Sequence, residues 1–130
     1  MPLVKIEILK GNSKEYKMAI LDAVHESLVE SIKIPDHDRS QRIYEIEKEN
    51  FEFPPDKTEK ATIIEISLFE GRSLDAKRDL YQNIVTKLSK KPGIDPNDVM
   101  IVLYESHKDN WGIKGGKPAS EVDLGFKVRV

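Results

Sequence analysis

From Leu3 to Leu9 the chain alternates imperfectly, with Val4, Ile6 and Ile8 set against Lys5 and Glu7, and this period of two predicts a strand with one favoured buried face. Gly11 breaks the pattern. Asn12 and Ser13 can cap a helix whose apolar positions, Tyr16, Ile20, Val24, Leu28 and Ile32, recur every four residues with Leu21 and Val29 beside them. That helix is expected to stop before Pro35. A weaker strand is predicted from Gln41 to Glu47, followed by a polar connector from Lys48 to Lys60 that holds Phe51, Phe53, Pro54 and Pro55. The series then restarts with a strand from Ala61 to Phe69, a break at Gly71 and a cap at Ser73. A helical stripe of Leu80, Tyr81, Ile84, Val85 and Leu88 follows, ending at Lys90, Lys91, Pro92 and Gly93, and then an apolar strand from Val99 to Tyr104.

A shift of 60 positions pairs Gly11 with Gly71, Ser13 with Ser73, Lys17 with Lys77, Leu28 with Leu88, Ile34 with Ile94, Asp38 with Asp98, Tyr44 with Tyr104 and Glu45 with Glu105. With a two-residue adjustment, Ile6, Glu7 and Ile8 also fall on Ile64, Glu65 and Ile66. We read a duplicated βαβ unit, the first over about residues 2–47 and the second over about 61–105, within one domain spanning 1–130 whose tail is 106–130. Each unit contributes two parallel strands crossed by a helix. The expected fold is therefore α/β (α+β), a four-stranded sheet with both helices on one face. Parallel strands this apolar are normally covered on both sides, so the bare face predicts an oligomer.

Composition narrows the function classes. The 130 residues are 38% apolar and 34% charged, enough for one core without the imbalance of a disordered chain. With 21 basic and 23 acidic residues the net charge is -2, and nothing builds the basic stripe that nucleic acid or an anionic membrane surface requires. The absence of cysteine excludes disulfides, thiolate metal sites and cysteine nucleophiles. The first residues, MPLVKIEILKG, carry charges where a signal peptide needs an apolar run, and the cytoplasm is the expected compartment. His25, His37 and His107 have no metal spacing, so they are expected at the surface or in loops, and no metal is expected. Gly115 and Gly116 lack the strand-to-helix context of a phosphate loop and read as a flexible tail.

A Met-Pro start running directly into a strand, a duplicated βαβ unit of about sixty residues and the lack of cysteine together resemble the tautomerase superfamily. The stretches IPDHDRSQRIYEIE, ISLFEGRSLDAKRDLY and DNWGIKGG are most similar to its malonate semialdehyde decarboxylase-like branch. The resemblance covers nearly the whole chain. It implies a homotrimer, a site built around an amino-terminal proline, a small carboxylate-bearing oxo acid as substrate and no cofactor.

Four residues follow as candidates. Pro2 becomes a free secondary amine once Met1 is trimmed, as is usual before a small residue, and its nitrogen can act as base when neutral or as acid when charged. Arg72, directly after Gly71 between a strand and a helix, is positioned to grip a substrate carboxylate, and the resemblance assigns it that role. The decarboxylase pattern has a second arginine two positions earlier, where this chain has Glu70. The resemblance casts Asp38, in the loop Asp-His-Asp-Arg, as the residue that orients water or Pro2, while Asp98 is expected to be structural. It also casts Trp111 as part of the apolar wall around the proline, with Ile113 and Ser120 where the decarboxylase carries further aromatics. The first expectation is keto-enol tautomerisation of a small oxo acid. Decarboxylation of a 3-oxo acid or hydration of an acetylenic or halogenated analogue is second, and a binding oligomer without turnover third.

Overall fold

The computed structural model of the chain describes residues 2–130; Met1, whose removal is expected above, lies outside them. Four strands, β1 (Leu3–Leu9), β2 (Gln41–Ile46), β3 (Thr62–Phe69) and β4 (Val99–Ser106), form a sheet in the order β2-β1-β3-β4. Helix α1 (Lys14–Ile32) connects β1 to β2, and α2 (Leu74–Lys90) connects β3 to β4. Strands are parallel within each unit, whereas β1 and β3 are antiparallel, so the two units meet head to tail at the sheet centre.

The alternation read in the sequence places Val4, Ile6 and Ile8 of β1 and Ile64, Ile66 and Leu68 of β3 in one layer. Ile20, Val24, Leu28 and Ile32 of α1 and Leu80, Ile84 and Leu88 of α2 pack onto it. Both helices begin as the sequence predicts. Ser13 Oγ accepts the Tyr16 N–H at 3.1 Å, and Ser73 Oγ accepts the Ala76 N–H at 3.1 Å.

The duplication is stricter than the sequence suggests. Val4 pairs with Gln41 and Ile64 with Ile101, while Leu9 pairs with Ile46 and Phe69 with Ser106, so the offset of 60 holds along the strands as well. The two-residue adjustment is therefore corrected: Ile6 corresponds to Ile66. A strand has a period of two, so sliding it by two residues keeps the same faces and makes such a false match easy. The shared residues have shared duties. Lys17 bonds Glu45 at 3.1 Å and Lys77 bonds Glu105 at 2.6 Å, each tying a helix to the outer strand of its unit.

Beyond β4 the chain is more regular than a flexible tail. It forms a 3-10 turn at Lys108–Asn110 and a hairpin of β5 (Gly112–Ile113) and β6 (Lys117–Pro118), with Gly115 and Gly116 at φ 83° and 89° between them. The face of the sheet away from the helices presents exposed Leu3, Tyr44, Met100 and Tyr104. At its centre Lys5 lies 4.0 Å from Glu65 and 5.1 Å above the Tyr44 ring. Among the described residues no helix is long and apolar enough to cross a membrane.

The glycines that follow β1 and β3 provide a test of the packing around the second. Both have positive φ, 114° at Gly11 and 131° at Gly71, but a Cβ would meet nothing at Gly11 and would lie 3.2 Å from Val128 Cγ1 at Gly71. Gly11→Ala is expected to cost about 1–3 kcal/mol from backbone strain alone, and Gly71→Ala more, as read by urea unfolding at fixed protein concentration.

Candidate active site

The antiparallel contact between β1 and β3 decides which loops meet. It sets the start of β1 beside the end of β3: Leu3 faces Ser67, and Pro2 is the residue directly ahead of that pair. The parallel contact of β1 with β2 brings the loop ahead of β2 to the same end, where the Val4 N–H donates to the Ser40 carbonyl at 3.0 Å. Pro2, the Asp38 loop, the Gly71–Ser73 turn and the segment after β4 therefore share one end of the sheet. Pro2 itself is buried.

Arg72 is placed by the turn out of β3. Its guanidinium is buried, with the residue only 6% exposed; Nη1 donates to the Phe69 carbonyl at 2.9 Å, while Nε and Nη2 are buried without a partner among the described residues. The other unit supplies a control. Asn12 occupies the corresponding position and donates Nδ2 to the Leu9 carbonyl at 2.9 Å. The turn thus needs one side-chain donor to the carbonyl three residues back, and Asn12 provides it. Arg72 makes that bond and holds two further donor nitrogens that the described residues leave open. An unsatisfied buried donor costs about 1–3 kcal/mol, more when charged, so the arrangement favours an anionic acceptor. Burial lowers the Arg72 pKa, and the nearby Glu105 carboxylate works against that fall. Glu70, the residue in place of a second arginine, is exposed and lines a separate recess with His107, Lys108 and Arg129.

Trp111 packs edge-on against Phe69 with ring centroids 4.9 Å apart, and its Nε1 donates to Ser106 Oγ at 2.9 Å. With Phe69, Ala119 and Val128, the side chains of Trp111, Ile113, Leu124 and Phe126 make a second apolar cluster, separate from the main core. Three of these, Ile113, Leu124 and Phe126, line a cleft of about 320 Å³ whose other wall is Pro35, His37 and Asp38, with Lys114 at the side. Asp38 is half-buried there. The cleft lining includes neither Pro2 nor Arg72; Arg72 is joined to the apolar cluster beside it through Phe69, which contacts Trp111 and whose carbonyl accepts from Arg72. Ser120 bonds Asp109 at the surface rather than facing the cleft.

Asp98, the twin of Asp38, is buried and accepts the Thr58 N–H at 2.7 Å and the Thr58 hydroxyl at 2.6 Å, a structural role as expected. The expectation for the histidines needs correction. His37 and His107 are exposed, but His25 is only 2% exposed on the inner side of α1. The apolar helix stripe runs through Val24 and Leu28, and His25 lies beside it, facing the loop ahead of β2. Sequence reasoning also missed Leu124 and Phe126, although Leu124, Phe126, Val128 and Val130 alternate with charged or small residues in the signature of a half-buried extended segment. Among the described residues no cluster of three or more histidine, aspartate or glutamate side chains is placed to hold a metal ion.

Comparison with known proteins identifies the family and the fold. A family model described as tautomerase enzyme matches residues 38–114, and a second model of the same description matches residues 2–59. The probable tautomerase YusQ of Bacillus subtilis (strain 168) is 27% identical over 122 residues, covering 90% of this chain and 96% of the relative. Among solved structures, the FG41 malonate semialdehyde decarboxylase inhibited by 3-bromopropiolate superposes with a TM-score of 0.83 at 25% identity, covering 94% of this chain and 98% of that one. A fused 4-OT symmetric trimer superposes at 0.81 with 24% identity, covering 91% and 96%.

A buried guanidinium with two open N–H groups is expected to be stabilised by a small carboxylate. Malonate or pyruvate added at about 100 times its dissociation constant should raise stability by about 2.7 kcal/mol, seen as a thermal midpoint several degrees higher. Arg72→Met should abolish that rise, whereas Asn12→Ala should keep it.

Proposed function

This chain belongs to the tautomerase superfamily, and on that footing we propose that it catalyses keto-enol tautomerisation of a small oxo acid with Pro2 as the proton carrier. The observation that carries the proposal is the contrast between Asn12 and Arg72: equivalent turns, the same bond to a strand-end carbonyl, and surplus buried donors only at the end of the sheet where Pro2 lies. In this reading Arg72 holds the substrate carboxylate. With Met1 removed, the neutral Pro2 nitrogen takes a proton from the carbon next to the carbonyl and, as the charged amine, gives it to the carbonyl oxygen, which becomes the enol hydroxyl while the neutral amine is restored. Asp38 orients the amine or a water, and Trp111 with its apolar neighbours limits access of solvent.

A second reading, decarboxylation or hydration with Pro2 charged, draws support from the likeness to malonate semialdehyde decarboxylase. The exposed sheet face, with Leu3, Tyr44, Met100 and Tyr104, supports assembly into a homotrimer like that of the fused 4-OT neighbour.

Intact mass is expected to show loss of Met1, and Pro2→Ala to lower kcat/KM for an enolisable oxo acid by about 10²–10⁴-fold. Equal turnover by wild type and Pro2→Ala would point instead to a binding protein or to incidental catalysis. The pH profile separates base from acid. If the neutral amine acts, kcat/KM rises with pH and levels off above the amine pKa, near 8 for an unperturbed terminus; if the charged amine acts, it falls across the same range. Sedimentation should return three copies.

A further inference from the structure

His25 projects from α1 toward the loop that carries Asp38. Its Nε2 lies 2.8 Å from the Asp36 carbonyl oxygen and 3.4 Å from the Asp36 carboxylate. A carbonyl can only accept, so Nε2 bears the hydrogen and donates it. Nδ1 is buried without a partner among the described residues. Near the preceding turn of α1, the Leu21 carbonyl accepts from Gln41 Nε2 at 2.9 Å and Asp22 pairs with Arg39. The helix therefore grips residues 36 to 41 at three points, and Asp38 lies between the first two.

The duplication shows what the fold alone requires here. Both loops make the same turn, the Asp38 N–H bonding the Pro35 carbonyl at 3.0 Å and the Asp98 N–H bonding the Asp95 carbonyl at 2.9 Å. In the second unit the residue equivalent to His25 is Val85, and the loop is anchored from the other side, on the connector ahead of β3: Asn97 Nδ2 donates to the Asp56 carbonyl at 3.0 Å, and Asp98 accepts from Thr58. An apolar residue thus suits this helix position. In the first unit its place is taken by a buried imidazole, at the cost of an unsatisfied Nδ1, under the loop whose residues Pro35, His37 and Asp38 wall the cleft.

We infer that His25 is a positioning residue: its bond to the Asp36 carbonyl fixes the Pro35–Asp38 turn and so sets where the Asp38 carboxyl stands relative to Pro2. The inference rests on the reading of Asp38 and Pro2 proposed above. It goes further in assigning a function to a side chain that touches no substrate.

The test compares His25→Leu, His25→Gln, Asp38→Asn and the His25→Leu/Asp38→Asn double variant. Each is followed by turnover of an enolisable oxo acid, and the His25 variants also by amide hydrogen exchange. In His25→Leu the Asp38 amide should exchange at least about tenfold faster while the Asp98 amide, in the untouched twin loop, keeps its rate. A displaced carboxyl should lower kcat on the order of 10–100-fold with KM within about twofold. Glutamine can present an amide N–H at the reach of Nε2, so His25→Gln should recover most of both losses. In the Asp38→Asn background His25→Leu should add no further loss, since both act through one carboxyl. Wild-type turnover in His25→Leu beside a slow Asp38→Asn would overturn the His25 role and leave that of Asp38 standing. Additive losses, or equal losses in the leucine and glutamine variants, would overturn it too. If Asp38→Asn turns over like wild type, the His25 inference falls together with the reading of Asp38.

Discussion

The antiparallel pairing of β1 with β3 is the contact on which the arrangement of this molecule depends. Each βαβ unit buries its apolar strand face under its own helix and would do so in many relative orientations. Once β1 and β3 run in opposite directions, the amino-terminal end of one unit must adjoin the strand-to-helix turn of the other. Pro2 and Arg72, seventy positions apart, reach the same end of the sheet for that reason. The parallel partners β2 and β4 then bring Asp38 and Trp111 there as well.

Duplication also makes the molecule its own reference. Equivalent positions share backbone geometry, so a difference in side chain isolates what is added to the demands of the fold. Asn12 and Arg72 make one bond in common, and the surplus donors of Arg72 stand apart from it. Val85 and His25 occupy equivalent sites on the two helices, but only His25 reaches across to a loop carbonyl. Asp98 is committed to Thr58 in the second unit, whereas Asp38 belongs to the wall of a cleft.

Most of the fold was legible because it rests on local, periodic signals. Strand alternation, the four-residue helical stripe and the Ser13 and Ser73 caps each act over a few residues, and they located β1, α1, β3 and α2 closely. The strand offset was misread because apolar alternation is indifferent to a slide of two residues; only the hydrogen-bonded register fixes it. The candidate site reads in the sequence as a set of residue types at turns, with Arg72 marked by its place after Gly71. The cleft was not, because Leu124 and Phe126 come from the far end of the chain and meet Asp38 only through tertiary packing. His25 escaped for a related reason: its polar edge faces a loop, and no helical period marks a residue buried against a connection.

The exchange of Asn12 for Arg72 between equivalent turns bears on how the two halves tolerate change. At the Gly11–Ser13 turn any short side chain able to reach a carbonyl three residues back would serve, and most replacements there touch folding alone. At the Gly71–Ser73 turn the same replacement would remove buried donors that the described residues leave open and so tend to make the polypeptide sturdier, while taking away the group proposed to hold the substrate carboxylate. Selection on robustness and selection on turnover thus pull in one direction in the first half and in opposite directions in the second, and the halves of this gene are free to drift at different speeds.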